Sequence, residues 1–138
     1  MTQLLSSPCP PTCLIATYRS PATATALLAL AQGAPSLHAL LLDVTDIPSH
    51  PAFVAQVTDL VGDAGLNLLI NNAGMNPKKD LESVTPEDMV AAFSTNCVSP
   101  LFRSRALLPL LQRAAGRKPE GGLSTSRAAI VQVPMHTV

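Results

Sequence analysis

The sequence has no tryptophan, and its aromatic side chains amount to 3% of the residues. Stacking platforms for nucleic-acid bases are therefore essentially missing. Charge is equally scarce, at 13% with a formal net charge of zero, so no electrostatic footprint for nucleic acid or an anionic membrane exists. Three cysteines, Cys9, Cys13 and Cys97, are too few and too irregularly spaced for a zinc site or a disulfide framework, and they read as free, largely buried thiols. His38, His50 and His136 form no ligand pair at helical spacing, so no metal site is expected. No apolar run approaches the ~18–20 residues that cross a bilayer, and the N-terminus has neither a basic segment nor an apolar core of a secretory signal. The expected compartment is the cytoplasm. What remains is abundant core-forming material: 47% of the 138 residues are apolar, enough for one modest domain. That balance suits the middle of a larger buried sheet better than a self-sufficient small domain.

The most informative stretch is Leu66–Asn76, where a short apolar run stops at Asn71-Asn72 and then at Ala73-Gly74. Four to eight apolar residues closed by turn formers read as a strand buried on both faces. The two carboxamides can bond local backbone or a ligand, and the small pair after them lets something approach the main chain closely. In open α/β sheets ligands bind beyond the carboxyl ends of the strands. An Asn-rich turn without a ligand explains the same residues about as well.

Around this stretch the elements alternate. Prolines 8, 10 and 11 force a connector after a short helical fragment. Cys13–Arg19 reads as a strand; Ser20 and Pro21 then open a helix over Ala22–Gln32, which Gly33 stops. Leu37–Val44 is a second strand, ending at Asp43. Thr45 or Asp46 caps the following helix, whose stripe is Phe53, Val54, Val57, Leu60 and Val61. Thr85-Pro86-Glu87-Asp88 supplies an N-cap, a proline at the first helical position and acids at the dipole's positive end. Met89, Val90 and Phe93 are expected to face the core. Pro100 should kink or restart that helix, Leu101–Arg113 continues it, and Gly116–Ser126 is a loop. Ala128–Val133 is a last strand. Strands alternating with helices point to a parallel, doubly wound α/β sheet.

In their order, Asp43-Val44 closing one strand, Asn71-Asn72-Ala73-Gly74 closing the next, and Asn96 about twenty residues on resemble the short-chain dehydrogenase/reductase family. Ala16-Thr-Tyr-Arg, Leu40-Leu-Leu-Asp-Val-Thr-Asp and Leu107-Leu-Pro-Leu-Leu narrow the resemblance to C-factor or sniffer-like carbonyl reductases. The resemblance implies residues 1–138 as a single incomplete Rossmann-like NADP-binding domain and the activity of an oxidoreductase passing hydride to an aldehyde or ketone. It implies Arg19 against the 2′-phosphate of NADPH and Asp43, beside the Val44 main chain, against the adenine amino group. Asn71, Ala73 and Gly74 would line the ribose and nicotinamide side, and Asn72 would tie neighbouring strands together. Asn96 would be the remnant of the catalytic set, holding a lysine and a proton-relay water.

The departures matter as much. No Thr-Gly-x-x-x-Gly-Ile-Gly turn is present, so the family's pyrophosphate cradle and first strand are expected to be missing. No Tyr-x-x-x-Lys exists; the single tyrosine, Tyr18, is followed four residues on by Ala22. Val133 is followed by Pro134 and Met135 rather than the catalytic serine, and Ser124 and Ser126 precede that strand. The chain thus reads as truncated at both ends and inactive by itself. With the central strand gone, two strand pairs with open edges should be marginally stable or depend on a partner. Two alternatives remain open: a non-catalytic protein forming homo-oligomers or mixed dimers with an intact paralogue through Leu101–Arg113, or an incomplete gene product.

Overall fold

The computed structural model describes residues 2–117 and 127–133. The expectations for Ser124, Ser126, Pro134 and Met135 fall outside the described residues. The chain divides into two compact units, Met1–Asp43 and Val44–Val138.

In the first unit a helical turn, α1 (Thr2–Leu5), leads through the prolines to β1 (Leu14–Tyr18). A 3₁₀ turn at Pro21–Thr23 opens α2 (Thr25–Gly33), and the chain returns as β2 (Leu37–Leu41). Ser20 makes no side-chain cap; its carbonyl accepts from the Thr23 hydroxyl instead (3.2 Å). β1 and β2 are parallel, with Leu14 opposite Leu37 and Tyr18 opposite Leu41. The ladder extends one bond further, from the Leu42 amide to the Tyr18 carbonyl (2.9 Å). The helical crossover that a parallel pair requires is α2.

The second unit begins with a 3₁₀ turn at Ile47–Ser49 running into α3 (His50–Val61), whose buried side chains are His50, Phe53 and Val57. β3 (Leu68–Asn71) follows, then α4 (Pro86–Phe93), a single wide π turn at Ser94–Val98, α5 (Ser99–Gly116) and β4 (Ala129–Gln132). β3 and β4 are parallel, Leu68 opposite Ala129 and Asn71 opposite Gln132. The expected parallel α/β arrangement is therefore present as two pairs, and the described strands form no ladder between β1-β2 and β3-β4.

The core of this unit is the stripe Leu107, Leu110, Leu111 and Ala114 of α5, packed on α3, β3 and β4. Each such leucine, fully buried, stabilises by about 1.5–3 kcal/mol. Gly65, at φ 74°, sits so close that an added Cβ would lie 2.6 Å from the Leu110 carbonyl oxygen and 2.7 Å from the Ala114 nitrogen. The next amide, Leu66, donates to that same carbonyl (3.0 Å). A glycine is thus what lets the entry to β3 lie directly on the α5 backbone.

Three expectations are corrected. β3 is not buried on both faces: Leu69 and Asn71 are buried, whereas Ile70 is 45% exposed, because α5 covers only the face that Leu69 and Asn71 share. Met89, Val90 and Phe93 are 58%, 65% and 62% exposed rather than in the core. Met89 and Phe93 each precede a buried leucine, Leu107 and Leu111, by eighteen residues, five whole turns of an uninterrupted α-helix. The wide turn at Ser94–Val98 inserts about one residue and rotates the α4 stripe by roughly 100° away from the core. Finally, all three cysteines are free, as expected, but Cys9 and Cys97 are exposed and Cys13 is half-buried. Burial pushes the Cys13 thiol up from its ordinary value.

Candidate functional site

The wide turn has a sequence cause. Pro100 has no N–H, so the Asn96 carbonyl cannot receive its normal helical bond. The chain widens instead, and the Ser99 amide and hydroxyl both donate to the Ser94 carbonyl, the hydroxyl at 2.8 Å. Ser99 is buried and its bond holds the distortion in place. The turn aims the Asn96 carboxamide out of the helix onto the loop after β3. Asn96 Oδ1 accepts from the Met75 amide (2.8 Å), and Asn96 Nδ2 donates to the Met75 carbonyl (2.8 Å). A reciprocal pair of this kind fixes the main chain immediately beyond Ala73-Gly74.

Asn71 ends β3 and is 3% exposed. Its Oδ1 accepts from Arg103 Nε (2.8 Å) and Nη2 (2.6 Å), and its Nδ2 donates to Ser104 Oγ (3.1 Å). Both ends of this carboxamide are thus engaged by α5, tying β3 to that helix, whereas Asn72, expected to tie neighbouring strands together, is exposed. Arg103 is 6% exposed, and among the described residues it meets no carboxylate. Burial lowers its pKa from the ordinary value, yet a guanidinium stays charged at neutral pH.

Between these elements lies an open cleft of about 580 Å³. Asn71, Ala73 and Gly74 form one wall, Asn96, Cys97, Pro100, Leu101 and Ser104 a second, and Ile130, Gln132 and Val133 a third. The structure therefore brings Asn71, Ala73, Gly74 and Asn96 together around one space beyond the carboxyl end of a parallel strand. Ala73 and Gly74 are exposed, so their main chain is open to a ligand.

Arg19 and Asp43 belong to the first unit. Arg19 is exposed directly after β1, and Asp43 is half-covered two residues after β2, so both stand at the carboxyl edge of one parallel pair. Val44 uses its carbonyl locally, toward His50 Nε2 (3.3 Å). The α4 end of the site is fixed by a capping box. Thr85 Oγ1 accepts from the Asp88 amide (3.3 Å), while Asp88 Oδ2 accepts from the Thr85 amide (2.9 Å) and Lys79 Nζ (2.7 Å). Those bonds, the one to Lys79 foremost, hold the Asp88 carboxyl below its ordinary range.

Sequence reading missed Arg103 and Ser104. The available signal was a cation placed four residues before Leu107 on an otherwise apolar stripe, where a solvated arginine does not belong.

A family model described as short chain dehydrogenase matches residues 11–122. Short-chain dehydrogenase/reductase family 9C member 7, from Bos taurus and from Homo sapiens, is 36% identical over 72 residues, 51% of this chain and 23% of the relative. Among solved structures, the carbonyl reductase Sniffer of D. melanogaster superposes with a TM-score of 0.90 at 33% identity, covering 95% of this chain and 53% of that one. The NADPH-bound carbonyl reductase from chicken fatty liver gives 0.90 at 40% identity, over 96% and 50%. The chain thus spans about half the length of these structures and a quarter of the curated relatives. Its two parallel strand pairs and helical crossovers are a partial Rossmann-type fold similar to that of these carbonyl reductases, and the chain belongs to the short-chain dehydrogenase/reductase family.

Proposed function

We propose that these residues are the adenosine-side edge and the active-site wall of an NADP-dependent carbonyl reductase working in the cytoplasm. The observation that carries this reading is the Asn96 clamp on Met75, which holds the small Ala73-Gly74 main chain open on the cleft. The residues fit part of the cofactor. Arg19 offers an exposed cation for a 2′-phosphate at a strand end, Asp43 offers an acceptor for the adenine amino group beside the Val44 main chain, and Asn71, Ala73 and Gly74 form the wall for the ribose and nicotinamide. NADPH, when bound, supplies the hydride that reduces an aldehyde or ketone.

The same 138 residues contain no glycine-rich phosphate turn and no Tyr-x-x-x-Lys, and Tyr18 lies within β1. General-acid catalysis at the substrate oxygen needs a positioned proton donor, which these residues do not supply. On this reading the isolated chain holds NADPH weakly and does not turn over. Titration of NADPH fluorescence should show weak binding whose preference over NADH disappears in Arg19→Glu. Loss of NADPH absorbance with a panel of aldehydes and ketones should match the blank. Measurable turnover, or an unchanged preference in the variant, overturns the proposal.

A second reading is favoured by a specific observation, the exposure of Leu101 and Leu108 on α5. It makes the chain a non-catalytic partner that pairs with itself or an intact paralogue through Leu101–Arg113. Leu107 and Leu111 are buried, so charging them tests the core rather than this surface. Co-elution with an intact paralogue that is lost in Leu101→Glu supports this reading; co-elution unaffected by that change counts against it. Reading the transcript beyond both ends tests whether the chain is instead an incomplete gene product.

A further inference from the structure

The hydrogen bonds around Asn71 all run in one direction. Arg103 donates twice to Asn71 Oδ1, and this fixes the carboxamide so that Nδ2 points to Ser104. Ser104 Oγ accepts that bond, and among the described residues nothing accepts the Ser104 hydroxyl proton, although Thr58 and Thr95 each donate theirs to the carbonyl four residues earlier. Asn71 and Ser104 both line the cleft. The head of the chain is a buried cation that meets no carboxylate among the described residues, a costly arrangement that an anion nearby would relieve. Successive bonds of this kind polarise one another, so the Ser104 hydroxyl is presented as a strengthened donor. Among the described residues no acidic side chain lines the cleft, and Pro100, Leu101, Ile130 and Val133 give it apolar walls.

We propose that the cleft binds a small carboxylate with an apolar body, one carboxylate oxygen accepting from Ser104 and facing the uncompensated charge of Arg103 across Asn71. The cleft, open and of about 580 Å³, has room for a small molecule. Direction of donation sets the specificity, because a ligand group that only accepts completes the chain, whereas a neutral amide of the same shape presents a mixed group and no charge. The proposal rests on the reading of this cleft as an active-site wall and names a ligand class for it, and its readout needs neither cofactor nor turnover.

Cys97 is an exposed thiol on the cleft wall and gives a readout independent of activity. The 138-residue chain is alkylated with N-ethylmaleimide, and each cysteine is followed by peptide mass spectrometry in the presence of hexanoate or hexanamide. Hexanoate should slow Cys97 and leave Cys9 unchanged, and it should act at concentrations roughly fivefold or more below those of hexanamide. Ser104→Ala, with an unchanged circular dichroism spectrum, should abolish that preference, and so should Arg103→Met. Equal protection by the two compounds, protection by neither, or a preference that persists in Ser104→Ala overturns the proposal.

Discussion

Replacing Gly65 by alanine should be among the most damaging single-methyl changes in this chain, and its cost can be divided. The first part is conformational. At φ 74° and ψ −174° the backbone lies in a region essentially restricted to glycine, and forcing another residue there costs about 1–3 kcal/mol. The second part is steric. The new Cβ would sit 2.6 Å from the Leu110 oxygen and 2.7 Å from the Ala114 nitrogen, both backbone atoms of α5 that cannot rotate away. Relieving the overlap means pushing the β3 entry off the helix, an overpacking cost of about 1–3 kcal/mol, with the Leu66–Leu110 bond strained as well. The total, about 2–6 kcal/mol, is a large share of the ~5–15 kcal/mol that holds an ordinary domain. Gly62→Ala is the matched control: its φ is also positive, at 53°, but a Cβ there meets nothing within 4 Å. The difference between the two variants therefore isolates the steric part, expected at about 1–3 kcal/mol. Thermal and urea unfolding followed by circular dichroism give both values. If the two variants lose equal stability, or Gly65→Ala is neutral, the claimed contact between the β3 entry and α5 is wrong.

Other outcomes follow from the same geometry. Asn96→Ala loses two bonds of about 0.5–1.5 kcal/mol each, so amide exchange at Met75 should accelerate, and more than in Asn96→Asp, which keeps the acceptor for the Met75 amide but sets an oxygen against the Met75 carbonyl; equal protection in all three proteins would refute the clamp. Asp88 has a folded pKa below its ordinary 3.8, so its contribution is present above that value and is lost as pH falls through the lower folded value. Helicity of α4 should therefore decline on acidification below about 4, and Asp88→Asn should have lower helicity at neutral pH and no such acid step. Urea melting of the purified chain should be shallow, consistent with two compact units and open strand edges; one cooperative transition of ordinary slope would contradict marginal stability.

Much of the architecture was legible because local chemistry and tertiary structure agree. The Cys13–Arg19 and Leu37–Val44 runs become β1 and β2 with ends trimmed, and Thr85-Pro86-Glu87-Asp88 forms the capping box its spacing implies. The stripe of α3 buries Phe53 and Val57 as its period requires. What could not be read depends on other segments. Asn71 and Asn72 are adjacent and chemically identical, and which one turns inward depends on the face of β3 that α5 covers, the one Asn71 shares with Leu69 and where Arg103, thirty-two residues on, meets it. The exposure of Met89 and Phe93 was hidden for a different reason. Their spacing from Leu107 and Leu111 is perfect for an α-helix, and a proline at position 100 announces a disturbance without saying whether the helix bends, stops or widens.

That widened turn couples two properties usually treated apart. The residue it accommodates points the Asn96 carboxamide at the strand loop, and the same insertion turns Met89 and Phe93 outward. Shortening the turn by one residue would bring the α4 stripe back into phase with α5 and gain apolar burial. It would also swing Asn96 by about a quarter of a revolution, off Met75 and out of the cleft. A protein selected only for a well-filled interior would have no use for the extra residue. Keeping it means this chain carries an oily outer strip as the direct geometrical counterpart of its cleft, so solubility and site geometry rise and fall on one helical insertion.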